Sequence, residues 1–215
     1  MHLKRQKAPR NWPIYRKGTK YLVRPSFDIF GGVPILIVLR DMLKIAKTRK
    51  EVKKALYEKN ILLNDYPLTD EKNNILLFDV LKIVPSKKNY RLGLTEKGKI
   101  KIDEIDEKES NKKIAKVTNK TLLKGKRIQL NLSDGRNFIS DIKCSTNDSV
   151  LINLKDKKIE KCLPLKENAS IFVFAGKHSG KRGSVKKIAP EKKIVEVDMD
   201  GKVTSILIKQ LIVVE

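Results

Sequence analysis

Residues 34–64 read PILIVLRDMLKIAKTRKEVKKALYEKNILLN, and the fold of the chain turns on this stretch. It divides into two amphipathic helices and a short strand. In the first helix Leu36, Leu39, Leu43 and Ala46 recur at helical spacing and are expected to line one buried stripe. Arg40, Lys44 and Lys47 fall at i, i+4 and i+7, so they are expected to share another face. Thr48-Arg-Lys-Glu51 opens the second helix as a capping box, in which the two side chains satisfy orphan N–H groups reciprocally. Val52, Ala55 and Leu56 form its apolar side. Arg49 starts it, and Lys50, Lys53, Lys54 and Tyr57 form a second face. Ile61–Leu63 reads as a strand closed by a turn at Asn64-Asp65. Two short helices that share a core and present rows of cations fit a phosphate backbone. The alternative is a solvated helix pair whose lysines serve only solubility.

Working outward, residues 1–27 contain eight cations and no acid: Lys4, Arg5, Lys7, Arg10, Arg16, Lys17, Lys20 and Arg24. Pro9, Pro13 and Pro25 break any helix, and the apolar residues have no period. Trp12, Tyr15 and Tyr21 are interleaved with the charges, as base-stacking aromatics would be. The stretch is expected to be a basic arm that orders only on RNA, because alone it buries too little to fold. Residues 27–33, with Gly31-Gly32, read as a linker into the first helix.

The whole chain sharpens this charge signal. Forty-eight Lys and Arg against 25 acids give a net charge of +23, an excess that internal pairs cannot balance. It fits nucleic acid first, then an anionic membrane or an acidic protein. No apolar run approaches the roughly 20 residues that span a bilayer. The N-terminus has cations but no apolar segment, so it does not read as a signal peptide. Cys144 and Cys162 form no CxxC pair, so neither a zinc site nor a disulfide framework is expected.

Downstream, residues 68–74 read as a polar turn and 75–84 as one buried strand, with a boundary at Pro85-Ser-Lys-Lys88. Tyr90–Leu94 and Ile100–Ile102 alternate about Lys97-Gly98, which predicts a hairpin. Asp103–Glu109, five acids and one lysine, reads as a solvated loop. Strands are expected at 114–117, 127–132, 136–139, 149–154 and 159–165, with a turn at Ser133-Asp134-Gly135; this spacing indicates a small barrel or sandwich. No nucleophile–base pair, cofactor loop or metal cluster is found, so no enzyme, cofactor or small-molecule substrate is expected.

A second signal lies near the C-terminus. The strand Ile171–Phe174 runs into a loop framed by Gly176, Gly180 and Gly183, which carries Lys177, His178, Lys181 and Arg182. Glycine permits left-handed backbone and close approach to a ligand. A nucleotide-binding P-loop fails on spacing, and Arg182 stands where Ser or Thr would hold magnesium. Val185–Ile188 continues as strand. Ile194–Val197, an Asp200-Gly201 turn, Val203–Ile208 and Leu211–Val214 then complete five strands of a barrel-like pattern.

The loop, from Gly176 through Gly180-Lys181-Arg182-Gly183 to Val185, resembles the KOW motif, and residues 34–64 resemble the S-four-type RNA-binding domain. His2-Leu-Lys-Arg5, Ala8-Pro9, Trp12, Arg24-Pro25-Ser26, Pro34–Asp41 and Phe78-Asp79-Val80 resemble the archaeal and eukaryotic small-subunit ribosomal proteins of the S-four-E family. The family's Gly-Pro-His stretch before the first helix is here shortened to Ser26–Gly32. The resemblance implies an α+β, mostly β chain: a basic arm at 1–33 and a small αα-β RNA-binding domain at 34–86. A middle β-barrel-like domain at 87–167 and an SH3-like KOW barrel at 168–215 follow. It implies a structural constituent of the small ribosomal subunit, cytoplasmic and in the ribosome, with small-subunit rRNA and neighbouring ribosomal proteins as partners. RNA contacts are expected from the eight arm cations and Trp12, from Arg40, Lys44, Lys47, Arg49, Lys50, Lys53 and Lys54, and from Lys177, His178, Lys181 and Arg182. The alternatives are a non-ribosomal regulator or elongation-type factor, or the targeting part of an RNA-modifying enzyme.

Overall fold

The computed structural model describes residues 2–125, 127–140, 142–189 and 193–214. Strands hold 43% of the chain and helices 12%, so the fold is mostly β, as expected. Backbone contacts group it into two compact units, Met1–Leu94 with Lys99–Asn111, and Thr95–Gly98 with Lys112–Glu215.

The first unit corrects the reading of the arm. β1 (Leu3–Lys4) pairs antiparallel with β2 (Tyr21–Leu22), and Leu3 and Trp12 are buried in a core shared with Val33, Ile35, Leu36 and Leu56. The Trp12 indole N–H donates to the Gly32 carbonyl at 3.0 Å, and Ile100 N donates to Asn11 O at 3.0 Å. The arm therefore folds without a partner. Its few apolar side chains have no period because they pack on a surface built by other segments.

β3 (Gly32–Pro34) lies in the stretch expected to be a linker, yet it pairs antiparallel with β6 (Asn74–Leu76). A Cβ on Gly32 would stand 2.3 Å from the Ile75 carbonyl, so this pairing needs glycine. α1 (Ile35–Ile37) follows and widens into a π-helical turn over Val38–Met42. All five residues Ile35–Leu39 are buried, so this helix is enclosed rather than amphipathic. It stops early because Lys44 adopts a left-handed conformation (φ 55°) and Ile45 N turns back to Leu39 O at 3.0 Å. Leu43 and Ala46 lie past its end, and Arg40, Lys44 and Lys47 share no helical face.

α2 (Arg49–Tyr57) forms as read. Glu51 N donates to Thr48 Oγ1 at 3.3 Å, Thr48 N donates back to Glu51 Oε2 at 3.4 Å, and Val52 and Leu56 are buried. β4 (Ile61–Leu63) turns through Asn64 and Asp65, both left-handed (φ 51° and 65°), into β5 (Tyr66–Pro67). The single strand expected over 75–84 is two, β6 and β7 (Val80–Ile83). Phe78 is left-handed (φ 63°), and the Asp79 carboxylate accepts from Leu76 N and Asn64 Nδ2, both at 2.7 Å, so the chain must turn there. β8 (Lys88–Leu94) and β9 (Ile100–Ile105) form the expected hairpin, with Gly98 at φ 72°. They extend one antiparallel sheet of order β5-β4-β7-β8-β9, and residues 84–87 are the turn between two of its neighbours. Asp103–Ile105 belongs to β9 rather than to a loop. Its acids are matched by cations, Asp103 with Lys101 at 2.8 Å and Glu104 with Lys88 at 3.2 Å.

The second unit is built on β10 (Lys112–Leu122). Its first half pairs with β13 (Ser149–Asn153) and its second half with β11 (Ile128–Leu132), the register shifting between Val117 and Asn119. β12 (Asn137–Ile139) and β14 (Lys158–Leu163) complete an antiparallel sheet of order β12-β11-β10-β13-β14. The other sheet contains β15 (Ser170–Val173), β16 (Arg182–Ala189), β17 (Ile194–Met199), β18 (Lys202–Leu207) and β19 (Leu211–Val213) in the order β18-β17-β16-β15-β19. Ile171, Val173, Val185, Val195, Val197 and Leu211 fill its core. The Lys116 ammonium, buried, donates to the carbonyls of Ile208 and Leu211, tying β10 to this sheet.

Candidate nucleic-acid interface

Three clusters of cations stand on these elements. On the arm, Lys4, Lys7, Arg10, Arg16, Lys17 and Lys20 are exposed and Arg24 is half-buried. Arg5 holds the arm's shape: Nε donates to Thr19 O at 2.7 Å, Nη1 to Tyr15 O at 2.6 Å and Nη2 to Thr19 Oγ1 at 3.1 Å. Its donors staple the 15–19 loop, and Trp12 is enclosed in the core, so neither is presented to a ligand in the way the sequence reading expected. The arm aromatics that do face solvent are Tyr15 and Tyr21, 76% and 49% exposed.

On α2, Lys50, Lys53 and Lys54 are exposed as read. Arg49 and Lys53 converge on Glu71, a carboxylate only 2% exposed, and this bond holds the Arg49 guanidinium in its charged form. Glu71 lies 22 residues from Arg49 and neutralises part of the cluster, a pairing with no local signal in the sequence. Arg40 is bound through two nitrogens to Asp41, at 2.9 and 2.8 Å, which leaves it little free charge. Lys44 and Lys47 are exposed on the connection between the helices.

In the C-terminal loop Gly176 (φ 87°) and Gly180 (φ 91°) take the left-handed conformations that the sequence reading required. Gly180 N donates to Val173 O at 2.7 Å, and Ser179 Oγ donates to Phe174 O at 3.0 Å, closing the loop on its own strand. Lys177, Lys181 and Arg182 are exposed and His178 is half-buried; Lys181 lies 3.9 Å from Asp200. β16 follows the loop, and no helix does, consistent with rejection of a P-loop. A Cβ on Gly180 would lie 1.9 Å from Thr95 O, so the hairpin tip 95–98 covers one side of the loop. Nothing in the sequence pattern paired those two turns.

Among the described residues no group of His, Cys, Asp and Glu could hold a metal ion. Cys144 and Cys162 are free thiols, and burial, with Cys144 and Asp148 alongside, pushes the Cys162 thiol up to about 12, which makes it a poor nucleophile.

Small antiparallel sheets carrying exposed cations on turns and helix ends define a class: basic modular β proteins shaped to lie against a polyanion. Residues 1–27 match the model of the RS4NT (NUC023) domain, and residues 86–159 match that of Ribosomal family S4e. The small ribosomal subunit protein eS4 of Methanocella arvoryzae is 37% identical over 190 residues, covering 87% of this chain and 80% of the relative. That of Nanoarchaeum equitans is 34% identical over 210 residues, covering 94% and 90%. The crystal structure of the 30S ribosomal protein S4e from Thermoplasma acidophilum has the same fold, with a TM-score of 0.74 at 23% identity, covering 86% of this chain and 95% of that one. The chain belongs to the S4e family of ribosomal proteins.

Proposed function

We propose that this chain is a structural constituent of the small ribosomal subunit, held there by small-subunit rRNA and by neighbouring ribosomal proteins. Its place is then the cytoplasm, in the ribosome. The observation that carries the reading is the folded, acid-free arm. Its six exposed cations project from a rigid hairpin pinned by Trp12 and Arg5, so they meet RNA already positioned. Preorganised cations spend less entropy on binding than a tail that must order.

Four segments divide the work. The arm (1–33) and the αα-β module (34–86) grip phosphates, with Arg49, Lys50, Lys53 and Lys54 acting jointly. The middle segment (87–167) serves as a spacer with some basic surface. The C-terminal segment (168–215) acts as a KOW module that contacts RNA through Lys177, Lys181 and Arg182. Recognition rests on RNA shape and phosphates more than on base edges.

The test is binding of the purified chain to transcribed small-subunit rRNA across a salt series. A footprint of about ten phosphates loses roughly three or more decades of affinity between about 50 and 200 mM salt. Preference for small-subunit over large-subunit rRNA supports the reading, and equal binding to both contradicts it.

A further inference from the structure

The segment between the arm and β3 holds two phenylalanines in water. Phe27 is 75% exposed and Phe30 is 74% exposed. The segment around them is tightly held. Ser26 N donates to Lys72 O at 3.0 Å, Phe30 N donates to Asp28 Oδ1 at 3.0 Å, and Asn74 Nδ2 donates to Asp28 O. Gly32, which ends the segment, has no room for a side chain against Ile75 O. Two large apolar rings fixed outward, on backbone that has every means of turning them in, point to a partner.

The surroundings indicate its chemistry. Lys72 is exposed, and its backbone is bonded directly to the Phe27 segment. The residue before it, Glu71, is the anchor on which Arg49 and Lys53 converge. Two stacking rings therefore adjoin a cluster of three cations. The nearby carboxylates are occupied: Asp28 by Phe30 N, Asp70 by Lys72 N and Glu71 by Arg49. Flat apolar faces beside positive charge, with the local acids capped, complement an unpaired nucleotide run, whose bases stack while its phosphates take the cations. An apolar pocket on a protein would match the rings but leave the cations without partners.

We propose that Phe27 and Phe30 form a base-stacking clamp for unpaired nucleotides of the bound RNA, adjoining a phosphate grip made by Arg49, Lys53 and Lys72. This rests on rRNA being the partner. The clamp lies in the segment where the chain departs from the Gly-Pro-His pattern, so it is a contact of this chain's own.

The test uses the full chain and transcribed small-subunit rRNA, with affinity measured across the salt series. Phe27→Leu with Phe30→Leu keeps the apolar character and removes the flat ring, on a surface that contributes nothing to the core. This variant is expected to lose about 5- to 150-fold per stacked base at every salt concentration, with the salt slope unchanged. Replacing Arg49, Lys53 and Lys72 with Gln should instead flatten the slope. Phe27→Trp with Phe30→Trp should retain or tighten binding. Leucine variants that bind like the parent overturn the clamp. A loss seen only when neighbouring proteins are present also overturns it and assigns the rings to a protein surface. If the parent chain shows no preference for small-subunit rRNA, the functional reading fails, and the clamp with it.

Discussion

Replacing Trp12 with Ala tests whether the arm is part of the fold. The indole is 3% exposed, packs in the first unit's core and donates to Gly32 O at 3.0 Å. Truncating a buried Trp costs about 3–5 kcal/mol from lost transfer energy and the cavity left behind. The Gly32 carbonyl also loses its partner, which adds about 1 kcal/mol. Against a typical domain stability of about 5–15 kcal/mol, that is a large share. Trp12→Phe keeps most of the apolar contact and should cost only about 1–2 kcal/mol, chiefly the lost hydrogen bond. Urea unfolding followed by far-UV circular dichroism gives the stability, and amide exchange at Leu3 and Leu22 reports whether β1 and β2 stay paired. The chain has a single Trp, so its native emission should be blue-shifted and should redden together with the loss of the first unit. Red-shifted emission in native buffer, or a loss below about 1 kcal/mol for Trp12→Ala with unchanged exchange, would refute the folded arm.

Other outcomes follow from the same geometry. Thr48→Ala removes the α2 cap and should cost about 1 kcal/mol in thermal unfolding, while Thr48→Ser should cost little. The Glu51 carboxyl is held below its ordinary value by Lys47 N–H and then by the Thr48 hydroxyl. Its contribution is therefore complete above the ordinary carboxylate value and fades as pH falls toward the lower folded value, so Glu51→Gln should flatten that part of the acid-stability curve. Burial lowers the Lys116 ammonium to about 8, so the unfolded chain binds more protons between there and about 10.4. Stability of the second unit should rise with pH across that window by up to about 3 kcal/mol, and Lys116→Met should abolish the rise. Gly201→Ala, with open space around it, should cost about 1–2 kcal/mol from its left-handed backbone alone; Gly180→Ala, driven into Thr95 O, should cost clearly more in urea denaturation.

Local signals in the sequence carried much of this architecture. The Thr48–Glu51 box, the Asn64-Asp65 and Asp200-Gly201 turns, and the alternation in Tyr90–Leu94 each depend on residues within a few positions of one another. What was not legible depends on distant partners. Ile35–Leu39 reads as half of an amphipathic stripe until β3, β6 and the arm close around it. The arm reads as unfolded because Leu3, Trp12 and Leu22 have no period; their packing partners lie up to a hundred residues away. The π-helical turn and the left-handed Lys44, which separate Arg40 from Lys47, arise from closure onto Leu39 O and have no glycine to announce them. Glu71, which collects Arg49 and Lys53, stands in a stretch that reads only as a polar turn. The candidate interface was therefore legible as composition and approximate position, while the side chains actually presented were not: Trp12 and Arg5 turn inward, and Phe27 and Phe30 turn out.

Sedimentation of a cell lysate containing the tagged chain tests the central claim most directly. A structural constituent of the small subunit should comigrate with that particle and stay with it through a moderate salt wash, because a grip of many cations and fixed surfaces is not displaced by partial screening. Recovery of the chain in the particle-free supernatant, or with RNA polymerase, would contradict the account.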